Sequence, residues 1–153
     1  MSSGQQSTGS ASGIHVPNLL LVEDSQDDVM MTQRALGRAH IGNHLTVAND
    51  GQQALDLLYA DAMAGSERFG LVLLDLGLPK IDGREVLKRI WGDRRLRQIP
   101  VIVLTGSDED EDMVRSYKSG AVAYLRKPVQ VDQLLRAVGD LHGYRLLIAR
   151  LPD

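Results

Sequence analysis

The chain has 153 residues and a 43% apolar share, enough for one domain with a real core. Its 17 basic and 20 acidic residues leave a net charge of −3, which gives no electrostatic case for nucleic acid or an anionic membrane as a partner. The absence of cysteine excludes disulfides, thiol nucleophiles and thiolate metal sites, and no apolar run approaches the roughly 18 residues of a membrane span.

The first 13 residues are mostly Ser, Gly, Gln and Thr, too polar to offset the entropy of ordering, so residues 1–16 are expected to be a flexible tail. No basic start followed by an apolar block is present, which makes a soluble cytoplasmic protein the expectation. Pro17 leads into a first strand from Asn18 to Val22. Glu23-Asp24-Ser25-Gln26-Asp27-Asp28 follows, with Ser25 as an N-cap and Asp28 at the capping-box distance. Val29, Gln33 and Leu36 begin a helical face, and Gly37 to Gly42 ends it. His44 to Ala48 alternates as a second strand, and Asn49-Asp50-Gly51 reads as a turn. Ala54, Leu55, Leu58 and Tyr59 mark a second helix, with a connection over Ala60 to Phe69.

The third strand is Gly70-Leu71-Val72-Leu73-Leu74-Asp75, a short continuous apolar run of the kind buried on both faces of a parallel sheet. Its carboxylate would stand at the strand's carboxyl end, where open α/β sheets hold their ligands. Asp82-Gly83 precedes a third helix carrying Val86, Leu87 and Ile90, with Trp91 beside them as packing. Pro100 introduces a strand from Val101 to Leu104, ending in Thr105-Gly106-Ser107. Asp108 to Asp112 opens a fourth helix that Gly120 breaks. Val122 to Leu125 is a fifth strand, stopped by Lys127-Pro128. A last helix places Val131, Leu134, Leu135, Val138 and Leu141 on one face. Five alternations predict a doubly wound, flavodoxin-like (βα)5 parallel sheet with strand order 2-1-3-4-5.

In that order the strand ends converge. Glu23, Asp24 and Asp75 would meet, and carboxylates so close repel unless a cation joins them. Hard oxygen donors suit Mg²⁺. Lys127 and Thr105 would add an ammonium and a hydroxyl at the rim, a set able to stabilise a phosphoryl group in transfer to Asp75. Gly106 leaves space beside the threonine. Each residue alone has a plain reading as a loop charge or strand end, and Asp27 and Asp28 read as first-turn charges favoured by the helix dipole. The four histidines share no zinc-ligand spacing.

The ordered set Leu20-Leu21-Val22-Glu23-Asp24, Leu73-Leu74-Asp75-Leu76-Gly77-Leu78-Pro79, Asp82-Gly83, Leu104-Thr105-Gly106 and Tyr124-Leu125-Arg126-Lys127-Pro128 resembles the receiver domain of bacterial two-component response regulators. The resemblance implies a receiver domain over residues 17–142 and signalling by a conformational change. It makes Asp75 the phosphoacceptor. It makes Asp24, Asp75 and the Gly77 backbone carbonyl the Mg²⁺ ligands, with Glu23 acting through water. Thr105 and Lys127 would contact the phosphoryl oxygens, Tyr124 would be the aromatic switch, and the Lys127–Pro128 bond would be cis. The stretches Glu23 to Asp28, Leu78 to Leu87 and Lys127-Pro128-Val129 are similar to the small single-domain regulators paired with phytochrome histidine kinases, which implies such a kinase as partner. Gly77 and Ser107 stand where fast-hydrolysing receivers carry water-positioning side chains, so slow self-dephosphorylation is expected.

About a dozen residues follow the last helix, so no output domain is expected after it. The apolar extension, residues 143–153, includes Tyr144, Leu146, Leu147, Ile148 and Leu151 and leads us to expect a homodimer. Two other classes compete. A flavodoxin-like cofactor binder would need a neutral, hydroxyl-rich loop after the first strand, the opposite of Glu23 to Asp28. A phosphorylation-independent interaction module would have no need of the full acidic and lysine set.

Overall fold

The computed structural model describes residues 17–65, 68–78, 80–106 and 122–139. Its elements in chain order are β1 (Asn18–Val22), α1 (Gln26–Arg38), β2 (Leu45–Ala48), α2 (Gly51–Ala64), β3 (Phe69–Asp75), α3 (Gly83–Gly92), β4 (Val101–Thr105), β5 (Val122–Arg126) and α4 (Val131–Gly139). All five strands are parallel and lie in the order β2-β1-β3-β4-β5. The expected doubly wound fold is therefore the observed one. The expected tail over residues 1–16, the helix opening at Asp108, Ser107, Pro79 and the extension over residues 143–153 lie outside the described residues.

The strands are apolar throughout because both faces of the sheet are covered. Side chains alternate along a strand, so Leu20, Val22, Val72, Leu74, Val101 and Val103 face one way. They pack with Ala54, Leu55 and Leu58 of α2 and with Val86, Leu87 and Ile90 of α3. Leu19, Leu21, Leu71, Leu73, Ile102 and Leu104 face the other way. They pack with Val29, Ala35 and Leu36 of α1 and with Leu134 and Ala137 of α4.

The helices start where short polar side chains can take an unpaired N–H. Ser25 Oγ accepts from Asp28 N at 3.2 Å, and Asp82 caps α3 through Arg84 N at 2.8 Å. Asp50 proves to be a cap too: its carboxylate accepts from Gln53 N at 2.8 Å, and the expected turn becomes the first residue of α2 at Gly51. Helix α2 also runs on through Ala60 to Ala64, where a connection was expected. Alanine is the best helix former, and Gly65 then stops the helix in the left-handed conformation at φ 67°.

Two faces differ in detail from the expectation. On α1 the buried residues are Val29, Thr32, Ala35 and Leu36, and Gln33 is exposed. On α4 Leu134 and Ala137 are buried while Leu135 is exposed. Phe69 is the buried first residue of β3, not loop. Trp91 is half-buried against the α2–α3 side of the core, as packing. No helix among the described residues is long and apolar enough to cross a membrane.

Candidate functional site

In an all-parallel sheet every strand delivers its last residue to the same edge. Here that edge receives Glu23 and Asp24 from β1, Asp75 from β3, Thr105 from β4 and Lys127 from β5. Backbone bonds continue the pairing into the loops. Glu23 N donates to the Ala48 carbonyl at 3.0 Å, and Lys127 N donates to the Thr105 carbonyl at 2.9 Å. The side chains that matter are thus carried on backbone held by the sheet.

Glu23, Asp24 and Asp75 each present one carboxylate oxygen, and these oxygens all lie within 4.8 Å of one another. Glu23 and Asp75 are buried and Asp24 is exposed. Asp75 is held at both oxygens: Oδ1 accepts from Gly77 N at 3.0 Å, and Oδ2 lies 3.2 Å from Lys127 Nζ. Lys127 Nζ is also 3.0 Å from Glu23 Oε1 and 3.0 Å from Asp28 Oδ2. The contact with Asp28 has hydrogen-bond geometry, whereas that with Glu23 Oε1 is an ion pair without it. The other Glu23 oxygen accepts from Ser25 N at 3.3 Å.

Burial pushes the Glu23 carboxyl up to about 7, aided by the neighbouring Asp75 carboxyl and opposed by Lys127. Burial works against the charge on Lys127, but Asp28, Glu23 and Asp75 outweigh it and hold the ammonium above its ordinary range. Three carboxylates this close, with one ammonium among them, make a place for a hard cation. The donor set fits Mg²⁺ or a similar divalent ion.

Thr105 is almost fully buried at the end of β4. Tyr124 pairs in register with Val103, so Tyr124 and Thr105 share one face of the sheet, and Tyr124 is half-buried there. The Lys127–Pro128 peptide bond is cis. Gly77 is exposed, and a Cβ on it would meet only Asp75 Oδ1, at 3.8 Å; a Cβ on Gly106 would meet nothing within 4 Å. Among the described residues, nothing else crowds either glycine. A cavity of about 460 Å³ lies at the other end of the sheet, between the end of α2 and the segment leading to β4. Its one buried carboxylate, Asp61, already accepts from Arg68 N at 2.9 and 3.1 Å, so the chemistry is not there.

A family model described as the response regulator receiver domain matches residues 19–139. The chain belongs to the response regulator receiver family. That membership sets aside the flavin-binding alternative. The receiver is 41% identical over 134 residues to a probable methanogenesis regulatory protein, FilR2, of Methanothrix harundinacea, covering 88% of this chain and 86% of that one. Its fold matches the solved bacteriophytochrome response regulator AtBRR with a TM-score of 0.77 at 41% identity, covering 88% of this chain and 98% of that one. It also matches the Mn²⁺-bound form of the response regulator Rcp1, with a TM-score of 0.61 at 35% identity over 90% of this chain and all of that one. The receiver is thus related to phytochrome response regulators along nearly their whole length. Asp28 was not legible in the sequence as a site residue, because its partner Lys127 is 99 residues away and leaves no local signal.

Proposed function

We propose that this receiver takes a phosphoryl group from a phosphohistidine of a histidine kinase onto Asp75 and signals through the resulting change at Thr105 and Tyr124. The observation that carries the reading is the state of Asp75. It is a nearly buried carboxylate on the central strand, gripped by one backbone N–H and one ammonium, with two more carboxylates beside it.

The chemistry follows from those positions. A carboxylate oxygen of Asp75 attacks phosphorus, an O–P bond forms, the N–P bond of the phosphohistidine breaks, and the imidazole leaves with the bonding pair. Lys127 and the Thr105 hydroxyl stabilise charge on the phosphoryl oxygens. Asp24, Asp75 and the Gly77 carbonyl would hold Mg²⁺, with Glu23 acting through a water; bound there, the cation neutralises the phosphoryl oxygens. That Rcp1 was solved in a Mn²⁺-bound form supports binding of a divalent ion by this receiver. Tyr124 lies on the face it needs to occupy if it is to follow Thr105 inward.

The likeness to AtBRR supports a phytochrome-type kinase as the donor, and with a kinase donor the working compartment is the cytoplasm. Incubation with a phosphorylated phytochrome-type histidine kinase should label the parent with Mg²⁺ present and leave Asp75→Asn unlabelled. Labelling of Asp75→Asn would remove the assignment. Failure of the parent to bind beryllofluoride with Mg²⁺ would favour a phosphorylation-independent interaction module.

A further inference from the structure

The first turn of α1 contains a cap that is only half made. Ser25 Oγ accepts from Asp28 N, and in a reciprocal capping box the Asp28 carboxylate would return to Ser25 N. It does not. Glu23 Oε2 occupies that N–H instead, at 3.3 Å. The Asp28 carboxylate is released to solvent's edge, where Oδ2 accepts from Lys127 Nζ at 3.0 Å.

An ammonium has three N–H donors. Around Lys127 three carboxylates from three elements surround them: Glu23 after β1, Asp28 on α1 and Asp75 on β3. These partners are not equivalent. Glu23 and Asp75 belong to the oxygen cluster suited to a cation, and Asp28 does not. When a cation and a phosphoryl group occupy the mouth, Glu23 and Asp75 acquire other partners, while Asp28 keeps Lys127 as its own. A lysine stem has four rotatable bonds and samples many orientations unless its end is held.

We propose that Asp28 is a positioning residue for Lys127: it keeps one N–H of the ammonium and aims the other two at the phosphoryl oxygens. The inference rests on the phosphoacceptor reading of Asp75. Its bland rival is a structural clasp. Asp28 and Lys127 close a narrow seam with Met31, Thr32 and Val129, and they could do no more than hold α1 to the loop before α4. A second rival is a brake, in which Asp28 competes with the phosphoryl group for the ammonium.

The test uses the full chain and the variants Asp28→Ala and Asp28→Asn. Four lysines make the ammonium ¹H–¹⁵N spectrum simple, and Lys127→Met identifies its signal. In the resting protein without metal, the Lys127 ammonium signal should be present in the parent, retained in Asp28→Asn and lost to exchange in Asp28→Ala. Beryllofluoride titration with Mg²⁺ should then show about tenfold weaker binding for Asp28→Ala, the scale typical of a partner that orients a ligating group, with Asn close to the parent. Mg²⁺ affinity alone should change far less. Beryllofluoride binding by folded Asp28→Ala equal to the parent leaves only the clasp, and tighter binding leaves the brake; either overturns the proposal. A parent that binds no beryllofluoride instead removes the phosphoacceptor reading, and the proposal with it.

Discussion

Gly83 tests how closely α3 is pressed against the site. A Cβ at this position would stand 2.4 Å from the Asp75 carbonyl oxygen, 2.4 Å from Leu76 Cα and 3.0 Å from the Leu76 carbonyl carbon. All three atoms are backbone of the strand end and loop, so none can swing aside. Restoring ordinary contact, which begins near 3.4 Å, requires the start of α3 to retreat by about an ångström. That movement stretches the 3.2 Å bond from Gly83 N to the Leu76 carbonyl and loosens Val86, Leu87 and Ile90, which are fully buried. Overpacking of this kind costs roughly 1–3 kcal/mol, and unyielding backbone puts it in the upper part of the range. Alanine's better helix propensity returns part of that, up to about 1 kcal/mol. Gly83→Ala should therefore lose about 2 kcal/mol, which for a domain of this size lowers Tm by roughly 7 °C. Gly37 is the control: it is also helical, a Cβ there meets nothing within 4 Å, and Gly37→Ala should gain about 0.5 kcal/mol. Urea unfolding of the three proteins reads both numbers. A Gly83→Ala protein as stable as Gly37→Ala would refute the close approach of helix and strand end.

At Gly65, where φ is 67°, alanine should cost about 1 kcal/mol in the same urea assay, because a Cβ strains the left-handed turn that ends α2. Gly77→Asn together with Ser107→Glu should speed phosphoryl loss at fixed Mg²⁺, measured as decay of the labelled protein; among the described residues a Cβ on Gly77 meets only Asp75 Oδ1, at 3.8 Å, and an unchanged decay would show that water positioning is not limiting.

The sheet was readable because strands buried on both faces need apolar residues at every position, and Leu71 to Leu74 and Val101 to Leu104 supply them without interruption. The mouth was readable because polar residues fall at the end of each such run. What escaped was whatever depends on a choice between two local fates. Asp50 can sit in a turn or cap a helix, and only Gln53 N at 2.8 Å decides it. Ala60 to Ala64 has too little apolar pattern to announce a helix, yet its intrinsic propensity continues one already begun. Thr32 and Gln33 are neighbours on α1, and a shift of 100° in facing separates the buried one from the exposed one. Asp28 has a sufficient local explanation as a first-turn acid, which concealed its contact with Lys127 across the fold.

Lys127 is also the last piece of the mouth to be synthesised. A chain interrupted after Thr105 already carries Glu23, Asp24, Asp28 and Asp75, and four of its strands could pair, but it holds no ammonium for them. Glu23, Asp28 and Asp75 would then face one another without their shared counter-charge. β5 joins the sheet only through its edge with β4, and it is the strand that delivers that charge. Until the final strand has emerged, the acids at the carboxyl end of the sheet have only a cation from solution to share, so a partial product that lacks its edge closes there less favourably than the full chain.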